Sequence, residues 1–130
     1  MSEPAEWSSE LFVYVRIPGN IGPLERGDRF EDPLDDCLAE DGLGHVSGGG
    51  SQLGENPDGT RCIEFCGIDV DVIDLEPALV AMRAELIALG APLGTQLQYT
   101  ANGQRLQDEL RDEGWTLALP RTLLHPGFGC

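Results

Sequence analysis

The run from Thr60 to Ile73, TRCIEFCGIDVDVI, limits the possible folds more than any other part of the chain. The turn signal Asn56-Pro57-Asp58-Gly59 precedes it, and Asp74, a good helix-capping residue, follows. Between them the run is too long and too rich in β-branched and aromatic residues to be a loop, and its alternation is that of a half-buried strand. The alternation changes phase: Ile63 and Phe65 share one parity, while Ile68, Val70 and Val72 share the other. A β-bulge near Cys66-Gly67 is expected to return all five to one face, at the cost of one unpaired residue.

A strand of this kind needs partners, and the rest of the chain supplies them. Leu11, Val13, Val15 and Ile17 alternate with Phe12, Tyr14 and Arg16, which predicts a strand ended by Pro18-Gly19-Asn20. A linking stretch containing Gly22, Pro23 and Gly27 leads to Asp32-Pro33, an N-cap with proline at the first helical position. Leu34, Cys37 and Leu38 then share a helical face up to Gly42. His45 to Gly54 reads as a glycine-rich strand. After Asp74, Leu75, Leu79, Met82, Leu86 and Leu89 make an apolar stripe that Gly90 and Pro92 stop. Thr95 to Tyr99 is a short strand. Asn102 reads as the cap of a short helix carrying Leu106 and Leu110, stopped by Gly114, and Trp115, Leu117 and Leu119 alternate in a last strand.

The predicted fold is therefore α+β, with the order β-α-β-β-α-β over residues 11–99 expected of a ferredoxin-like split βαβ unit and a C-terminal helix-strand extension over 100–130. Two helices would cover one face of an antiparallel sheet. The other face would carry Phe12, Tyr14 and Arg16 from the first strand and Glu64, Asp69 and Asp71 from the third. At 130 residues and 41% hydrophobic composition the chain suits one domain, preceded by a flexible polar segment over 1–10.

Charge narrows the partners. The formal net charge is -15, from 23 acids against 8 basic residues, and every basic residue is Arg. Nucleic acids and anionic membranes both need a cationic patch, which no Arg cluster here forms, so neither is expected as a partner. A basic protein is the natural complement, since opposite potentials steer encounter; solubility alone is the competing explanation of the acidity. No basic n-region with an apolar core opens the sequence, and no apolar run is long enough to span a bilayer, so the expected location is cytoplasmic. Cys37, Cys62, Cys66 and Cys130 are then expected to be reduced.

Three constellations invite a chemical reading. Asp69 and Asp71 put two carboxylates on one side of a strand, as oxygen ligands for a divalent cation would require, and with Gly49-Gly50-Ser51 they look like the signature of minimal nucleotidyltransferases. That family expects a helix after Gly-Ser, whereas a turn follows here, so solvated acids on a sheet face are the preferred reading and the enzyme is the alternative. Ser47-Gly48-Gly49-Gly50-Ser51 could cradle phosphate, but it lacks a following Lys; a bulge or a close approach of backbones explains such a run better. Cys62, Cys66, His125 and Cys130 lack the spacing of a zinc knuckle and read as thiols, with no metal and no cofactor expected.

The segment from Glu25 to Asp41 is crowded with carboxylates. Asp32, Asp35 and Asp36 favour the dipole at the start of a helix, but Glu40 and Asp41 near its other end do not, which points to a partner or to a solvated face.

The segments Gly48-Gly49-Gly50-Ser51-Gln52-Leu53, Ile68-Asp69-Val70-Asp71 and Leu89-Gly90-Ala91-Pro92-Leu93-Gly94-Thr95 resemble those of small bacterial proteins that include immunity proteins of polymorphic toxin systems. The resemblance implies a cytoplasmic inhibitor that plugs the active site of a toxin domain, with no catalytic residues. The expected function is thus a non-catalytic protein-binding module, an immunity or antitoxin protein for a basic toxin such as a nuclease. Its partner-binding residues would be Phe12, Tyr14, Arg16, Glu64, Asp69 and Asp71, together with Asp35, Asp36, Glu40 and Asp41. The remaining alternative is a structural or regulatory subunit that associates through its sheet.

Overall fold

The computed structural model of the chain describes residues 11–19, 21–55 and 57–120. Strand β1 (Phe12–Pro18) leads into a helical stretch made of α1 (Pro23–Arg26), a π-helical turn (Gly27–Glu31) and α2 (Asp32–Glu40). Strands β2 (Gly44–Glu55) and β3 (Arg61–Val72) follow, then α3 (Leu75–Ala88), β4 (Gln96–Ala101), β5 (Gln104–Arg111) and β6 (Gly114–Pro120). The six strands form one open sheet in the order β2-β3-β1-β4-β5-β6, with every pairing antiparallel. The fold is α+β. Its sheet order extends two strands beyond the four expected of a ferredoxin-like unit. No helix among the described residues is long and apolar enough to cross a membrane.

One sheet face holds the core. Val13, Val15 and Ile17 of β1, Cys66, Ile68 and Val70 of β3, and Leu97 of β4 pack against Leu34 and Leu38 of α2 and Leu79, Met82 and Leu86 of α3. All are wholly buried. Burying an aliphatic side chain of this size contributes roughly 2 kcal/mol, so this face drives folding.

Three expectations are corrected. The linking stretch from Pro23 to Glu31 is helical, and Asp32, with φ -64° and ψ -48°, continues a helix instead of capping one. The π turn explains how Pro33 is tolerated there: a proline ring crowds the carbonyl four residues earlier, and a wider turn gives that carbonyl room. The same turn buries Phe30.

The bulge in β3 does not lie at Cys66-Gly67. There β3 pairs with β1 without interruption from Phe12↔Asp71 to Pro18↔Phe65. The register instead shifts against β2 between Gln52↔Phe65 and Leu53↔Ile63, leaving Glu64 as the extra residue. Phe65 consequently stays on the face away from the helices, where the Arg16 guanidinium lies 4.0 Å from its ring centroid.

The predicted helix after Asn102 is strand β5. Asn102 (φ 53°) and Gly103 (φ 77°) are the two central residues of a tight hairpin turn, closed by the Ala101↔Gln104 pair. Two successive positive φ values are the geometry that an Asn-Gly hairpin turn favours. The extension therefore widens the sheet along its edge.

Candidate functional site

The face away from the helices is built on β1. Two outward residues of this central strand have a neighbour on either side: Tyr14 stands opposite Asp69 of β3 and Gln98 of β4, and Arg16 opposite Gly67 and Gln96. The Tyr14 ring lies across Gly67, and a Cβ at that position would collide with the hydroxyl end of the ring. Burial, and after it the nearby Asp69 charge, pushes the Tyr14 hydroxyl above its ordinary pKa, with Arg16 opposing. Arg16 itself is half-buried and stacked on Phe65, and its buried Nε has no hydrogen-bond partner among the described residues.

This face is open only in part, which corrects the expected site. Phe12 is 7% exposed, and on the same face Gln98 and Thr100 are buried as well. A large ring on a strand near the sheet centre gains too much from leaving water to act as an open docking residue. Toward β2 the face does open: Asp71 and His45 are exposed, with His45 Nε2 at 3.6 Å from Asp71 Oδ2. Glu64 is placed by its backbone at the bulge, and its side chain lies outside the described residues.

The second expected cluster meets the first at the sheet edge. Asp35, in the first turn of α2, accepts a hydrogen bond from the Val46 amide of β2 at 2.9 Å. Glu31, Asp32 and Asp35 face Val46, Ser47 and Gly48 across an open groove of about 300 Å³. On the other side of the strand, Asp69 stands opposite Gly48 in register, and a Cβ on that glycine would lie 3.3 Å from Asp69 Oδ2. Ser47 is the extra residue of a second register shift, and its hydroxyl donates to the Asp69 carbonyl at 3.3 Å.

Glycine at 48, 49 and 50 thus makes β2 a ribbon without side chains between two groups of carboxylates. Arg26, which pairs with Glu31 at 2.6 Å, lies over Gly49, so the backbone there is approached closely. The glycine run is extended strand and opens no helix, so it does not cradle phosphate as a loop would, and the Gly-Ser context of a nucleotidyltransferase is missing. Among the described residues no three His, Cys, Asp or Glu side chains group as metal ligands.

Asp36, Glu40 and Asp41 are exposed, and none of them lines this groove. Glu40 and Asp41, with Glu85 of α3, surround Cys37; burial chiefly, and then these three carboxylates, pushes its thiol above the ordinary range. Cys37 and Cys66 are free thiols, while the Cys62 side chain, His125 and Cys130 lie outside the described residues.

Asp108 of β5 is not among the residues that the sequence singles out, because Asn102 as a cap predicts a helix over its segment. Wholly buried, it accepts hydrogen bonds from Arg83 Nε (2.8 Å), the Tyr99 hydroxyl (2.6 Å) and the Ala118 amide (2.9 Å). This network ties α3, β4, β5 and β6 together, and burial followed by the Asp108 bond raises the Tyr99 pKa. The Asn102-Gly103 dipeptide and the alternation of Leu106, Asp108 and Leu110 were the signals that could have found it.

Comparison of the chain with family models, with curated proteins and with solved structures found no match.

Proposed function

We propose that this chain is a non-catalytic protein-binding module, of the kind that immunity proteins represent, which meets a basic partner such as a toxin nuclease and occludes its active site. One observation carries the reading. Asp32 and Asp35 on the groove side, and Asp69 and Asp71 on the other, flank a sheet edge that presents no side chains at Gly48, Gly49 and Gly50. Arg26 is taken up by Glu31, and the side chain beside Asp71 is the exposed His45. Carboxylates spread around an accessible backbone suit a cationic surface, and opposite potentials would speed its encounter. The resemblance to immunity proteins adds the class of partner.

For the fold we read β1 to β4 as a ferredoxin-like split unit widened by β5 and β6. The support is that β1 pairs with both β3 and β4 and that helices occupy the β1-β2 and β3-β4 connections.

The test is co-purification of the tagged chain with the product of an adjacent gene, followed by affinity measurement. Asp69→Lys with Asp71→Lys should weaken binding by roughly tenfold per reversed charge and leave the urea midpoint nearly unchanged. Tyr14→Ala should speed dissociation. Unchanged affinity in the charge-reversed variant would refute the reading, and a magnesium-dependent activity lost with Asp69 and Asp71 would replace it by the enzyme.

A further inference from the structure

We propose that β2 receives an extended cationic segment of the partner as a seventh strand of the sheet, an inference that rests on the reading of this chain as a binding module and specifies how its edge is used. β2 ends the sheet order, so one side of it faces no other strand. The pairing with β3 fixes which main-chain groups point that way. β3 pairs with β1 without a break from Phe65 to Asp71, and beyond its end the Ile73 amide donates to the Leu43 carbonyl at the entry to β2. Residues of an antiparallel strand turn alternately toward one neighbour and the other, so Ile73, Asp71, Asp69 and Gly67 face β2. Val46, Gly49 and Ser51 stand opposite the intervening Val70, Ile68 and Cys66, and therefore turn their amides and carbonyls outward. Asp35 takes up the Val46 amide at 2.9 Å, whereas Gly49 is exposed.

The edge is regular, bare and acidic on both sides. Register shifts on either side bound five consecutive pairs, from Gly48↔Asp69 to Gln52↔Phe65, and such a stretch can template a short added strand. Exposed edges are commonly guarded by Lys or Pro, but glycine occupies positions 48, 49 and 50 here. Asp32 and Asp35 line the groove on the helix side, and Asp69 and Asp71 stand on the other sheet face. Side chains of an added strand alternate between these two sides, so Lys or Arg at neighbouring positions would each meet carboxylates. Arg26 and His45 offset part of this charge, the first paired with Glu31 and the second 3.6 Å from Asp71, and the acids remain in excess. A second copy pairing β2 to β2 would set these acids against their own kind, as would an acidic segment.

The test uses the whole protein and a labelled extended peptide of about nine residues, made of Lys and Thr in alternating pairs so that both of its faces carry Lys. Its controls are the same sequence N-methylated at each backbone amide, which keeps the charge and removes the donors, and the same pattern with Glu in place of Lys. Fluorescence anisotropy should give the parent peptide at least roughly tenfold tighter binding than either control. At saturation, hydrogen exchange of the Gly49 amide should slow by about tenfold or more, while that of Val46, already bonded to Asp35, should stay as it was. A Cβ at Gly50 meets nothing within 4 Å, so side chains can be added there without disturbing the fold. Gly50→Lys should remove about tenfold of the affinity and Gly50→Ala almost none, both with the urea midpoint nearly kept.

Equal binding of the N-methylated or Glu peptide overturns the proposal, as does an unchanged Gly49 exchange rate at saturation. Sedimentation as a dimer that Gly50→Lys dissociates would assign the edge to a second copy instead. A basic partner that binds the Gly50→Lys variant normally but not the Asp69/Asp71 variant overturns the added strand and leaves the binding function standing.

Discussion

Replacing Asp108 with alanine removes the acceptor for three donors at once. The Tyr99 hydroxyl, on a residue 4% exposed, loses its 2.6 Å bond to a carboxylate, and a hydrogen bond to a charged group contributes about 1.5 to 3 kcal/mol. The Ala118 amide lies in part-buried surroundings and loses a bond of about 1 kcal/mol. Arg83, whose side chain is 17% exposed, loses its carboxylate but sits near enough to the surface to turn partly into water, which keeps its share well below the full cost of stranding a buried charge. Together these give a loss of about 3 to 4 kcal/mol. With a urea dependence of about 1.5 kcal/mol per molar, the unfolding midpoint should fall by about 2 M. Asp108→Asn keeps one acceptor oxygen and should lose roughly half as much. A loss below about 1 kcal/mol in the alanine variant would show that the network adds nothing net, and the reasoning would fail.

Two further outcomes follow from the same geometry. Gly67→Ala should cost about 1 to 3 kcal/mol, because its Cβ would displace the Tyr14 ring, whereas Gly50→Ala, with open space around it, should be tolerated within about 0.5 kcal/mol; equal urea midpoints for the two variants would contradict the placement of Tyr14. Above about pH 8 stability should decline: Cys37, Cys66, Tyr14 and Tyr99 all have folded pKa values raised above the ordinary 9.0 and 10.0, so the unfolded chain releases those protons first and their contribution is lost as pH rises further. The urea midpoint should be lower at about pH 10.5 than at pH 8, with a smaller drop in Tyr99→Phe, and a flat profile would contradict the burial of these groups.

Much of the fold was legible because hydrophobic period and turn chemistry agree over residues 11–99. The stripe of Leu79, Met82 and Leu86 has one reading, and so has the alternation in β1. The misreadings arose where one residue type serves two structures. Asn102 suits a helix cap and also a hairpin turn, and only Gly103 beside it decides for the hairpin. Asp32-Pro33 looks like a helix start because proline is common there, yet a π turn lets the helix run through it. In the candidate site, the shared face of Tyr14, Arg16, Asp69 and Asp71 followed from strand period alone. That Asp35 would reach β2, or that Phe12 would be buried, depended on packing between elements far apart in sequence, which period does not encode.

The sheet order has a consequence for how the chain acquires its structure. β1 comes first among the described strands yet lies inside the sheet, and Val15 finds its neighbours at Ile68 and Leu97. Each of those pairings closes a long loop and must offset its entropy before any contact forms. By contrast β4, β5 and β6 are successive neighbours joined by short turns, so they can zip together within microseconds. The strand made earliest is thus the one locked in place last, and in pulse-labelled hydrogen exchange the β1 amides should gain protection after those shared by β4 and β5. Until then Val13, Val15 and Ile17, the residues that later anchor both helices, stand in water on an unpaired segment, and assembly of the core waits on the return of the chain at β4.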